Sequence, residues 1–108
     1  MELKTYEKEC IKNGIEYLEK HDWCKLNLFE GPIKENPDNC KFCALGAIAM
    51  ANGYNPNKFK GADIDDDMYD FIKHELGMRF SYQKIYSLND TSRDKKEAIE
   101  RLKFLVED

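Results

Sequence analysis

From Ala44 to Ala51 the chain reads Ala-Leu-Gly-Ala-Ile-Ala-Met-Ala, without a single charge in a sequence of which 35% is charged. A surface helix shows water one polar face, so a segment apolar on every side is stable only if other elements surround it. This run therefore predicts a buried central helix. Its end is marked by Asn52-Gly53, since glycine tolerates the left-handed backbone that closes many helices. Upstream, Asp38 or Asn39 is the expected N-cap, able to accept from the orphan N–H groups of the first turn. That places Cys40 in the first turn and Cys43 one turn on.

The flanking segments supply the surroundings. At about 100° per residue, Leu3, Tyr6, Cys10, Ile11, Gly14, Ile15, Tyr17 and Leu18 share one arc, predicting an amphipathic first helix that ends near His21. Gly14 weakens it locally, or lets a neighbouring helix come close. Residues 22–39 alternate imperfectly and carry Gly31-Pro32 and Asn36-Pro37, which predicts an ordered loop or a two-stranded hairpin. Trp23, Leu26, Leu28 and Phe29 are expected to cover the central helix from there. Asp65, Asp66 and Asp67 complement the dipole of a third helix, whose Met68, Tyr69, Ile72 and Leu76 share a face. Ser81 to Leu88 reads as a short helix or turn. Asn89 to Ser92 reads as the start of a last helix with Ala98, Ile99, Leu102, Leu105 and Val106 inward. The expectation is a single domain over residues 1–108: all-α, or mostly α with one short hairpin, with four to five helices around the central one.

Composition narrows the classes of function. Asp and Glu number 21 against 17 Lys and Arg, so no general attraction to nucleic acid arises, and no basic recognition helix is visible. No stretch nears the roughly 18 apolar residues of a membrane span, and the mixed charges of the N-terminus do not form a signal peptide. The expected location is the cytoplasm, where Cys10, Cys24, Cys40 and Cys43 stay reduced.

Several constellations offer chemistry. Cys40 and Cys43 at a helix start invite a redox reading, but a Pro- and Asn-rich loop precedes them where the thioredoxin context needs a strand. A structural zinc would use Cys24, Cys40 and Cys43, yet no second pair has ligand spacing. A cysteine hydrolase or transferase would take Cys43 as nucleophile, His74 as base and Asn89 or Asp90 to orient it. Against it, His74 falls beside Asp70 on a solvated face. The run from Asp63 to Asp67 fits the first, third and fifth ligands of a calcium loop, but Met68 replaces its glycine and His74 its bidentate glutamate. No metal and no cofactor is expected. Asn89 and Asp90 have two ordinary roles, as turn and cap residues or as a polar tie to the Trp23 segment.

In order and coarse spacing, residues 11–105 resemble an uncharacterised family of small bacterial and bacteriophage proteins with W-x-x-G, C-x-L-G-A and W-N-D motifs. The matching residues are Trp23, the run Cys43-Ala44-Leu45-Gly46-Ala47, and Asn89-Asp90 followed by Glu97-Ala98-Ile99. Two positions depart: Leu26 stands at the glycine and Leu88 at the second tryptophan. The resemblance implies a small, mostly helical protein of phage or mobile-element origin and supplies no activity. The preferred expectation is a non-enzymatic binding protein with Trp23, Tyr86, Asn89 and Asp90 as binding residues. Its partner would be a protein or a second copy, and a host-directed or anti-defence role would follow from phage origin. The alternatives are the Cys43 enzyme and a small-ligand pocket between the Trp23 loop, the central helix and the Asn89-Asp90 turn.

Overall fold

A computed structural model describes residues 3–107. Five helices form its body: α1 (Thr5–Glu19), α2 (Ala44–Ala51), α3 (Ile64–Asp70), α4 (Tyr82–Asp90) and α5 (Lys95–Val106). A π-helical turn, Phe71–Glu75, prolongs α3. Three two-residue strands, β1 (Asp22–Trp23), β2 (Phe29–Glu30) and β3 (Lys41–Phe42), make a small sheet, so the protein is mostly α with a short β element.

The central position expected of α2 is what the structure shows. Ala44, Leu45, Ala47, Ile48 and Ala49 have no exposed surface, and α2 packs chiefly on α1 and α4. Small residues allow that closeness. A Cβ on Gly14 of α1 would stand 2.5 Å from Ile48 Cγ1 and 3.0 Å from Ile48 Cα. On Gly46 it would collide with the Leu28 carbonyl oxygen. At the far end Asn52 Nδ2 donates to Ile48 O (2.7 Å) and to Cys10 O (3.0 Å), tying the helix stop to α1, and Gly53 takes the expected left-handed backbone at φ 102°.

Four local expectations are corrected. No hairpin forms within residues 22–39. Instead β3 lies in the middle of the sheet, parallel to β1 through Asp22↔Lys41 and Trp23↔Phe42, and antiparallel to β2 through Phe29↔Phe42 and Glu30↔Lys41. Pairing holds Lys41 and Phe42 extended, so α2 starts with the apolar run at Ala44 and not directly after the expected cap at Asp38 or Asn39. Cys40 therefore precedes the helix, and Cys43 is its N-cap in place of Asp38 or Asn39: Cys43 Sγ accepts from Gly46 N at 3.4 Å. The Asn89-Asp90 pair closes α4 and does not open α5, whose cap is Asp94, accepting from Glu97 N at 2.9 Å. Leu26, expected to cover α2, is 71% exposed, whereas Leu28 is buried.

The α1 face also holds a surprise. Glu7 is buried on the same helix as Ile11, Ile15 and Leu18. Its carboxylate accepts from Ser81 Oγ at 2.6 Å and from Lys4 N at 3.0 Å, which offsets the cost of leaving water. The pair joins α1 to the start of α4. In α5, Ala98, Leu102 and Val106 face inward as their spacing predicts.

Candidate functional site

The residues proposed from sequence as a binding set, Trp23, Tyr86, Asn89 and Asp90, are brought together by the fold. Asn89 stands at their centre with no exposed surface. Its Oδ1 accepts from Trp23 Nε1 at 2.8 Å and from Ala44 N at 2.9 Å. Its Nδ2 donates to Cys24 O at 3.2 Å and to Asp90 Oδ1 at 3.3 Å. One buried amide thus satisfies the first free N–H of α2, the indole, and the carbonyl of Cys24 just past the strand that carries the indole. The polar tie between the Asn89-Asp90 segment and the Trp23 segment is real.

The next layer of this clamp fixes Leu26. Asp90 Oδ1 accepts from Leu26 N at 2.9 Å, and the Tyr86 hydroxyl donates to Leu26 O at 3.0 Å. Lys25 adds a bond from Nζ to Ser92 O at 2.9 Å. Between these anchors Leu26 sits at φ 74°, the one non-glycine residue with positive φ among those described. A leucine pays steric strain there that a glycine does not. The position that the resemblance expects to be a glycine is therefore left-handed in this chain. Its side chain projects into solvent beside Tyr86.

Cys43 does not have the character of a nucleophile. It is fully buried, and burial pushes its thiol up to about 12, against weaker lowering by the N–H groups of Gly46 and Leu45. His74 is exposed and lines a separate cleft with Tyr54, Asp67 and Phe71, a cleft that Cys43 does not border. Cysteine, histidine and Asn89 are thus not assembled into one site. The thiols named for zinc have other roles as well. Cys24 Sγ donates to Asn27 O at 3.6 Å and Cys40 Sγ to Asn36 O at 3.7 Å. Among the described residues no group of three or more His, Cys, Asp or Glu side chains is arranged to hold a metal ion.

A groove of about 470 Å³ opens beside the clamp, between α3 with its π-helical turn and α4. Asp66, Tyr69, Asp70 and Lys73 line one wall, and Tyr82, Gln83 and Tyr86 the other. The Tyr69 ring meets Tyr82 edge-on at 6.2 Å between centroids and Tyr86 at 6.3 Å. Lys73 Nζ lies 5.5 Å over the Tyr82 ring and 3.9 Å from Asp70 Oδ1. Asp66 is held above the ordinary carboxylate range, first by the charge of Asp63 and then by its hydrogen bond to it, with Lys73 opposing. Tyr86 belongs to both the groove and the clamp.

The sequence pattern places Tyr69 on the core face of its helix and joins Asp66, Asp70 and Lys73 to no site. Their signal was the helical spacing of Asp66, Tyr69, Asp70 and Lys73, matched by the one-turn spacing of Tyr82 and Tyr86. What joins the two stripes is the meeting of the Tyr69 ring with those of Tyr82 and Tyr86, which neither stripe reveals alone.

No curated protein and no solved structure matches this chain. A family model does match, over residues 6–106, and the chain belongs to that family, a family of unknown function (DUF6197).

Proposed function

We propose that this protein is a small cytosolic, non-enzymatic binding module that docks a macromolecular partner on the face made by Leu26 and the tyrosine-lined groove. The observation that carries this reading is the presentation of Leu26. A large apolar side chain is 71% exposed on a strained backbone whose N–H and C=O are both held, by Asp90 and Tyr86. Strain of this kind persists where surrounding structure over-determines it, and such positions cluster at functional sites. An exposed leucine rigidly displayed next to an aromatic groove is a ready anchor for another chain.

Free thiols at Cys10, Cys24, Cys40 and Cys43 support a reducing location. Among the described residues no helix is long and apolar enough to cross a membrane. The Cys43 enzyme is the weaker reading, because a buried thiol raised to about 12 holds its proton at neutral pH. The third alternative, a ligand between the Trp23 loop, α2 and the Asn89-Asp90 turn, competes with side chains already hydrogen-bonded to one another there.

A photo-crosslinking residue at Leu26, compared with one at Lys12 on α1, tests the proposal in bacterial cytoplasm. The expected result is a discrete adduct from position 26 alone, competed by unlabelled protein and not by a Tyr82→Ala variant. No adduct at position 26, or equal adducts at both positions, overturns it.

A further inference from the structure

Resting on the groove as part of that docking face, we infer that it receives a cationic side chain of the partner segment, arginine above all, in the place now held by the ammonium of Lys73. Three tyrosine rings converge on the groove, and Asp66 and Asp70 stand at its acidic wall. Aromatic faces with nearby carboxylates attract organic cations, because the ring quadrupole and the negative charge act together.

Lys73 reports this preference from within the molecule. Its ammonium already lies over Tyr82 and beside Asp70. Its ion pair is weak: the contact to Asp70 is 3.9 Å long, three residues apart on the helix, with the side chains of Lys73 and Asp70 30% and 67% exposed. Pairs of this type contribute little, so an incoming cation can displace it. One lysine also faces two carboxylates, Asp66 and Asp70, along the groove.

Arginine fits better than lysine for two reasons. Its flat guanidinium stacks on a tyrosine ring and presents paired donors to a carboxylate. The groove's volume, about 470 Å³, exceeds one side chain and leaves room for flanking backbone. Leu26, bonded to Tyr86 at the groove's edge, would meet an apolar residue of the same segment. The partner segment is therefore basic and amphipathic, an arginine with an apolar neighbour.

The test is a titration of the whole protein with a short capped peptide carrying one arginine and one leucine, followed by calorimetry and by amide and tyrosine NMR shifts. Its citrulline counterpart has nearly the same shape without charge, and a glutamate counterpart reverses the sign. The arginine peptide is expected to bind roughly tenfold or more tightly than the citrulline one, with shifts centred on Tyr69, Tyr82 and Tyr86. Asp70→Asn weakens binding, and Lys73→Gln tightens it by roughly two- to fivefold by removing the internal competitor. Unchanged melting temperatures of both variants show that the fold is intact. Equal binding of arginine and citrulline peptides, preference for the glutamate peptide, loss of affinity in Lys73→Gln, or shifts away from the groove each overturn the inference. Crosslinking at Leu26 that depends on Tyr82, without arginine binding, leaves the docking face standing and removes only its cation. Arginine binding without any crosslinked partner does the reverse.

Discussion

Asn89 Oδ1 accepts the first backbone N–H of the central helix, that of Ala44, at 2.9 Å, across an interval of 45 residues in sequence. The same oxygen accepts the Trp23 indole at 2.8 Å. A single side chain near the end of α4 thus caps α2 and fastens the strand that runs beside it.

Replacing Asn89 by alanine is expected to lower unfolding free energy by about 2–4 kcal/mol, because buried donors at Ala44 and Trp23 lose their acceptor together. Asn89→Asp is also unfavourable: it removes the donor to Cys24 O and faces a carboxylate with Asp90. Urea denaturation followed by tryptophan fluorescence measures both. A loss under 1 kcal/mol for alanine would refute the capping role.

Leu26→Gly should stabilise the fold by about 1 kcal/mol, since glycine adopts positive φ without the steric cost borne by leucine. The exposed leucine side chain gives up little buried area in exchange. The melting temperature is expected to rise by several degrees, on the order of 4–8 °C for a domain of about this size. The same variant weakens partner capture. A fall in melting temperature would show that the side chain, not the backbone, governs this position.

Gly46→Ala is expected to destabilise more than Gly14→Ala. The added methyl at Gly46 meets the Leu28 backbone, which moves only with the whole loop, whereas the nearest atom at Gly14 is the Ile48 side chain. Overpacking costs about 1–3 kcal/mol, and Gly46→Ala should lie at or above the top of that range. Thermal denaturation of the two variants gives the order directly.

Alkaline pH should weaken the fold. Burial pushes the Cys43 thiol from an ordinary 9.0 up to about 12, and the Cys24 thiol likewise to about 12. Between these values the native state keeps protons that the unfolded chain releases, so stability falls as pH rises from about 9 through 12. Cys43→Ala is expected to be less stable at pH 7, through loss of the Gly46 cap, yet to show a shallower decline. Stability measured at intervals across that range checks the slope. Thiol labelling at pH 7 should likewise leave Cys43 unmodified until the protein unfolds.

How far the sequence reaches depends on the range of the interactions involved. Period and composition determined the buried α2, the Ile11, Ile15 and Leu18 stripe of α1, the inward face of α5 and the helix stop at Asn52-Gly53, because each rests on spacing along one segment or on residue size; Tyr6, on the same predicted arc of α1, is exposed, and at Gly14 the structure shows close approach to Ile48 where the sequence left local weakening equally open. The strand at Lys41–Phe42 was invisible, since its partners β1 and β2 lie earlier in the chain and only their pairing draws it straight. For the same reason Asp38-Asn39 and Asn89-Asp90 were assigned as local caps, when Asn89 acts on Ala44 from another helix. The candidate site followed the same division. Trp23, Tyr86, Asn89 and Asp90 stand out as residue types at turns and near motifs, but the groove of Tyr69, Tyr82, Asp70 and Lys73 exists only once the fold brings the Tyr69 ring to those of Tyr82 and Tyr86. Local patterns decide which face of a helix is buried. Which helix lies against it, and what charge and aromatic surface the pair then shares, is settled by tertiary packing.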